Sequence, residues 1–294
     1  MLERYEKLIH QGELPRLRIV PIPQIRLHEE TEPARLRRVA ARLEREGMLQ
    51  HPPIVSGAPR GRTHLLLDGA HRTLALRELA LRYVLVQVVD YADRLIELQR
   101  WHHLIEIAEP DRFLERVARL PGVRLVRHRA SAGSSPFFSR RGQIAQLILR
   151  DRSSLLLLPE KDLDRDEREW LDLAAPVLRS LVGLYKQHGF VDRISYDEFD
   201  WVESNYPRFT ALVVFPQFSK QEIRRVARSK EKLPAGITRH LIPKRALRFD
   251  LPLWILSRNL PPEELNRRLV EMILDRTQNG RVRFYSESTF SFDE

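Results

Sequence analysis

His64-Leu65-Leu66-Leu67-Asp68-Gly69-Ala70-His71-Arg72 decides the fold. Residues 64–67, with three leucines in succession, read as a strand, and from about His71 to Leu81 the pattern is helical. A strand that ends in Asp-Gly and passes at once into a helix gathers the N–H groups of the helix start at one point, where the helix dipole also favours negative charge. Such a junction suits phosphate. Gly69 lets the backbone approach closely, Arg72 offers a two-pronged donor, His71 a further donor, and Asp68 an acceptor that can cap the helix or hold a metal-nucleotide. The same five residues also read as an ordinary capped helix with two solvent-facing basic side chains.

Upstream, residues 16–27 (RLRIVPIPQIRL) read as a short β segment interrupted by prolines, with His28-Glu29-Glu30 at its end. Pro33 opens a helix in which Leu36, Val39, Ala40 and Leu43 recur at i, i+3, i+4 and i+7, and Gly47 closes it. Strands at 53–56 and 84–89 complete an α/β unit over 16–91. Downstream come an apolar-periodic stretch near 104–120, a strand at 123–127, a Ser/Gly-rich loop at 131–136 that is the best candidate for mobility, and a strand at Ser154–Leu158. Helices at 164–188, 220–229 and 261–276, strands at Ala211–Phe215 and Arg281–Tyr285, and the aromatic tail Phe290-Ser291-Phe292-Asp293-Glu294 follow. The chain therefore reads as α/β (α+β). Its 294 residues predict two domains, or one domain with a large appendage; the two-domain division is 1–104 and 105–294.

Fifty Lys+Arg against 40 Asp+Glu give a net charge of +10, which favours an anionic partner, although many arginines alternate with glutamates as on a solvated face. The absence of cysteine excludes disulfides, thiolate metal sites and cysteine nucleophiles. No apolar run approaches the roughly 20 residues of a membrane span, so a soluble, cytoplasmic protein is expected. His102-His103 invite a metal reading, but adjacent side chains point apart and no third ligand is spaced to help. Trp170, Trp201 and Trp254 read as core or domain-contact aromatics.

Leu66-Leu67-Asp68-Gly69-Ala70-His71-Arg72, followed by Ala75-Leu76, resembles the phosphate-binding box of the ParB/sulfiredoxin-like fold. Sulfiredoxins place a catalytic cysteine where Ala70 stands. Partition proteins of the ParB type carry a Glu-Arg-Arg box, and no helix-turn-helix is legible in 101–160. The free L-serine kinases, which make O-phospho-L-serine, usually show Asp-Gly-His-His-Arg, from which this chain departs only at Ala70. Leu27-His28-Glu29 with the downstream 47–54 segment is similar to the kinases' stretch bearing a catalytic glutamate. Gly236-Ile237-Thr238-Arg239-His240-Leu241-Ile242-Pro243 resembles their Thr-Arg-His-x-x-Pro segment. Asp90-Tyr91 with Trp101 also fits.

That resemblance implies a ParB/sulfiredoxin-like N-terminal domain, a second mixed domain that completes the substrate site, and phosphoryl transfer from ATP or ADP, with Mg²⁺, to the hydroxyl of free L-serine. Glu29 would be the general base, with Glu30 a weaker substitute. Asp68 would orient the site or the Mg²⁺, and Gly69, His71 and Arg72 would hold the nucleotide phosphates. Thr238, Arg239 and His240 would bind the substrate carboxylate or the product phosphate, and Trp101 would wall the serine. The competing reading is a ParB-like regulatory or partition protein that binds a nucleotide or nucleic acid without kinase activity.

Overall fold

The computed structural model describes residues 1–57, 63–129, 137, 142–161, 163, 168–195 and 199–285. The expected loop 131–136, most of the turn at 57–62, the first residues of the 164–188 helix and the 290–294 tail lie outside them. The chain divides into two compact units, each mixed α and β. Unit 1 comprises Met1–Arg26, Glu32–Ile96 and the residues from Ile242 on; unit 2 comprises Leu27–Thr31 and Glu97–Leu241.

Unit 1 contains α1 (Leu2–His10), β1 (Leu17–Pro21), β2 (Ile25–Arg26), α2 (Pro33–Glu46), β3 (Met48–Leu49), β4 (Ile54–Ser56), β5 (His64–Asp68), α3 (Ala70–Glu78) and β6 (Tyr83–Val89). Among the described residues its main sheet runs β1-β6-β4-β5-β2. Pairing is antiparallel for β1–β6 and β4–β5, parallel for β4–β6 and β2–β5. Ile19, Ile54, Val55, Leu66, Leu76 and Leu85 fill its core. Val39 and Leu43 are the buried stripe of α2, and Gly47 ends that helix in the left-handed conformation the sequence anticipates.

Unit 2 contains β7 (Glu97–Arg100), β8 (His102–Ile105), α4 (Pro110–Ala118), β9 (Val123–Arg129), β10 (Ala145–Leu149), β11 (Ser153–Pro159), α5 (Arg168–Tyr185), β12 (Phe190–Ile194), α6 (Phe199–Asn205), β13 (Ala211–Val214), α7 (Lys220–Arg228) and β14 (Thr238–Leu241). An antiparallel sheet in the order β12-β8-β13-β10-β11-β9 carries most of these strands. Separately, β14 pairs antiparallel with β7, Thr238 opposite Arg100. Trp170 is fully buried in α5, its indole N–H donating to the Gly142 carbonyl at 2.8 Å.

The remaining elements, β15 (Leu251–Pro252), α8 (Leu253–Leu256) and α9 (Pro262–Gln278), return to unit 1. β15 pairs with β3, and the Asn266 side chain of α9 exchanges hydrogen bonds with the Ile19 backbone at 2.9 and 2.8 Å. The units thus depart from a single cut at 104/105, because pairings more than 200 residues apart draw the chain end back to the first strand.

Other departures are local. The apolar stretch near 104–120 splits into the end of β8 and α4, which Pro110 opens. Residues 281–285 form no strand; Val282, Phe284 and Tyr285 are exposed. Trp254 and Trp201 are surface residues rather than core. No helix of the described residues is long and apolar enough to cross a membrane.

Candidate functional site

The candidate phosphate box lies at the end of β5. Gly69 stands at φ 91°, the N-cap of α3, and a Cβ there would come within 2.8 Å of Pro53 Cβ and 2.9 Å of its Cα. Glycine is therefore required on two counts: the left-handed turn and the close approach of Pro53. The ladder of α3 starts with the Thr73 N–H on the Gly69 carbonyl at 2.9 Å, so the positive end of the helix dipole lies at 69–72.

Arg72, largely buried, donates to the His51 carbonyl at 2.7 Å and to Asp68 Oδ2 at 3.3 Å. Arg245 donates to the same Asp68 oxygen. Burial is the strongest influence on the Asp68 carboxyl and pushes its pKa up. Arg72, Arg245 and the Gly69 N–H together outweigh it and hold the pKa below the ordinary value. His71 accepts the Glu32 N–H on Nε2 at 3.1 Å, which in a neutral ring leaves the proton on Nδ1. The donor expected from His71 is therefore its Nδ1–H.

A second cluster lies wholly within unit 2. Glu29 bridges in parallel to Leu233, fixed by Glu30 N–H to Leu233 O at 2.8 Å and Leu233 N–H to His28 O at 2.9 Å. Its carboxylate then accepts three consecutive backbone donors: Gly236 N–H at 2.8 Å on Oε2, with Ile237 N–H at 3.2 Å and Thr238 N–H at 2.7 Å on Oε1. The Thr238 hydroxyl adds a bond of 2.6 Å to Oε1. Successive N–H groups converging on one anion form a nest. Because the Thr238 hydroxyl donates to Glu29, it accepts from His28 Nε2 at 2.9 Å.

His240 meets His28 edge-on, ring centroids 5.4 Å apart, on the face of β14 that also carries Thr238. On the other face the Arg239 guanidinium lies 4.5 Å from the Trp101 ring centroid. The Trp101 N–H donates to the Ile237 carbonyl at 3.0 Å.

Behind the nest, buried His103 bridges Tyr185 and Gly236: Nδ1 lies 2.8 Å from the Tyr185 hydroxyl and Nε2 3.0 Å from the Gly236 carbonyl. A carbonyl only accepts, so Nε2 carries the proton. Burial raises the Tyr185 phenol well above its usual range, which keeps that hydroxyl protonated. Glu30 pairs with Arg179 at 3.3 Å, and Arg179 also pairs with Glu231, so Glu30 is committed to a structural clamp. His102 and His103 face different surroundings, and no group of three or more metal-ligating side chains occurs among the described residues.

The sequence-derived residues therefore assemble as two sets: Asp68, Gly69, His71 and Arg72 in unit 1, and Glu29, Trp101, Thr238, Arg239 and His240 in unit 2. Sequence reasoning did not single out Arg245 or Arg179; it had His28 and His51 only as parts of longer segments and His103 only as a discounted metal ligand. Only His28, next to Glu29, carried a local signal.

No family model matches the chain. The ATP-dependent L-serine kinase SbnI of Staphylococcus aureus is 26% identical over 282 residues, covering 95% of this chain and 97% of that protein. An ATP-dependent L-serine kinase of Staphylothermus marinus is 30% identical over 107 residues, 36% of this chain and 42% of the relative. Among solved structures, SbnI with a C-terminal truncation superposes with a TM-score of 0.67 at 24% identity, over 89% of this chain and 97% of that one. A free serine kinase in complex with AMP gives 0.64 at 15% identity, over 82% and 93%. The chain shares their fold.

Proposed function

We propose that this chain is a cytoplasmic small-molecule kinase that transfers the γ-phosphoryl group of ATP to the hydroxyl of free L-serine, yielding O-phospho-L-serine and ADP. The observation that carries this reading is the likeness to an ATP-dependent L-serine kinase along nearly the whole of both chains. The two residue sets support it, because phosphoryl transfer needs a phosphate clamp and an acceptor hydroxyl relieved of its proton.

The start of α3, with Gly69, His71 and Arg72, holds the nucleotide phosphates. On the acceptor side Glu29 is the general base, and Oε2, which accepts one of the nest bonds where Oε1 accepts three, receives the serine proton. As the serine oxygen bonds to phosphorus, the bond from phosphorus to the β,γ-bridging oxygen breaks and ADP leaves. Thr238, Arg239 and His240 bind the carboxylate of serine or the phosphate of the product, and Trp101 walls the serine. A Mg²⁺ ion needs one or two carboxylates beside substrate phosphates. Asp68 fits, since both arginines address Oδ2, and the ion would neutralise charge on the transferring group.

The kinase reading is favoured over a nucleic-acid-binding one because the relatives matched along the chain are named as serine kinases. Purified protein incubated with ATP or ADP, Mg²⁺ and L-serine should form O-phosphoserine with nucleotide consumption that depends on serine. Nucleotide left unconverted, with DNA affinity that falls steeply with salt, would favour the alternative.

A further inference from the structure

Arg245 reaches the phosphate box through a segment whose backbone is unusual for its composition. Lys244, Arg248 and Asp250 stand at φ 52°, 49° and 52°, a region that residues with a Cβ avoid. Gln87, buried in β6, holds this segment on either side of residue 245. Its Nε2 donates to the Lys244 carbonyl at 3.0 Å, and its Oε1 accepts the Ala246 N–H at 2.8 Å. Further along, the Arg248 N–H donates to His51 Nδ1 at 3.2 Å, and the carbonyl of that histidine is the acceptor for Arg72.

The outcome is a pair of guanidinium groups side by side on Asp68 Oδ2, at the positive end of α3. A half-exposed ion pair adds little to stability, which leaves the clamped backbone unexplained by the Asp68–Arg245 pair alone. At the first position of α3, meanwhile, Ala70 offers no side-chain donor.

We propose that Arg245 is a phosphate-contacting residue of this site, that Gln87 is its positioning residue, and that its ligand is the polyphosphate of the nucleotide. The proposal rests on the nucleotide reading of residues 68–72. Asp68 keeps the two guanidiniums aligned, and a phosphate entering at the helix start accepts hydrogen bonds from both.

Calorimetric titration of the full chain with ADP, ATP and adenosine tests this. Arg245→Gln, a substitution at a half-exposed side chain, should weaken ADP and ATP roughly tenfold or more and leave adenosine unchanged. Gln87→Glu keeps the acceptor for Ala246 and loses the donor to Lys244. It should weaken ADP by less, and adding it to Arg245→Gln should weaken ADP no further. Unchanged ADP affinity in Arg245→Gln, while Arg72→Ala does weaken ADP, overturns the proposal and leaves the phosphate box standing. Equal losses for adenosine and ADP also overturn it, since they mark a general structural role. Should the wild type bind no ADP, or Arg72→Ala leave ADP binding intact, the reading of 68–72 falls and Arg245 falls with it.

Discussion

The two candidate clusters are held by opposite means. In unit 1 the charge at Asp68 is balanced by arginine side chains, whose partners can be exchanged when another anion arrives. In unit 2 the charge at Glu29 is gripped by consecutive backbone N–H groups, themselves backed by β14 and by His103. A side-chain clamp suits the proposed nucleotide, which must enter and leave. A backbone nest suits a carboxylate that, as the proposed base, has to keep its position through every turnover.

Replacing Glu29 is the severest way to break this contrast. Glu29→Gln should lower O-phosphoserine formation by roughly 10²- to 10⁴-fold with ATP affinity unchanged, read by product assay and calorimetry on the same sample. If serine turnover survives, the base is elsewhere. On the other side, Arg72→Ala should act on binding, weakening ATP roughly ten- to a hundredfold; an unchanged affinity would remove Arg72 from the clamp.

Gly69→Ala probes the backbone beneath the clamp. Its left-handed φ alone should cost about 1–2 kcal/mol, and the approach of Pro53 adds to that, seen as a lower urea midpoint at constant slope. The smallest effect concerns pH. Because the folded Asp68 pKa is depressed, its contribution to stability is present above the ordinary value of 3.8 and is lost as pH falls below that toward the folded value. Asp68→Asn should flatten this part of the acid-unfolding curve. More than a third of the side chain is exposed, so water screens the pair and keeps the change slight.

What the sequence made legible was local. The stripe Leu36, Val39, Leu43 with Gly47 identified α2, and the Asp-Gly junction placed the start of α3 within a residue. His102–Ile105 was harder, since four consecutive residues that are all buried, two of them histidines, carry no period to separate strand from helix. Nor did any local pattern mark β7 and β14, which pair across more than 130 residues. In the candidate site, Glu29 and Thr238-Arg239-His240 were recognised as separate motifs, while the hydrogen bonds that join them are a property of the folded chain. Arg245 escaped notice because its place depends on Gln87, 158 residues away in a strand that otherwise reads as plain core.

The nest around Glu29 also has a consequence for biosynthesis. Its donors lie 207 to 209 residues downstream of the carboxylate they hold. At about 5–20 residues per second, a ribosome needs on the order of 10–40 s to deliver them after Glu29 has been made. For most of that interval the nascent chain already contains residues 68–72, yet Glu29 lacks the donors that hold it. A product released early would therefore lack the ordered carboxylate, so the proposed base is assembled late in translation.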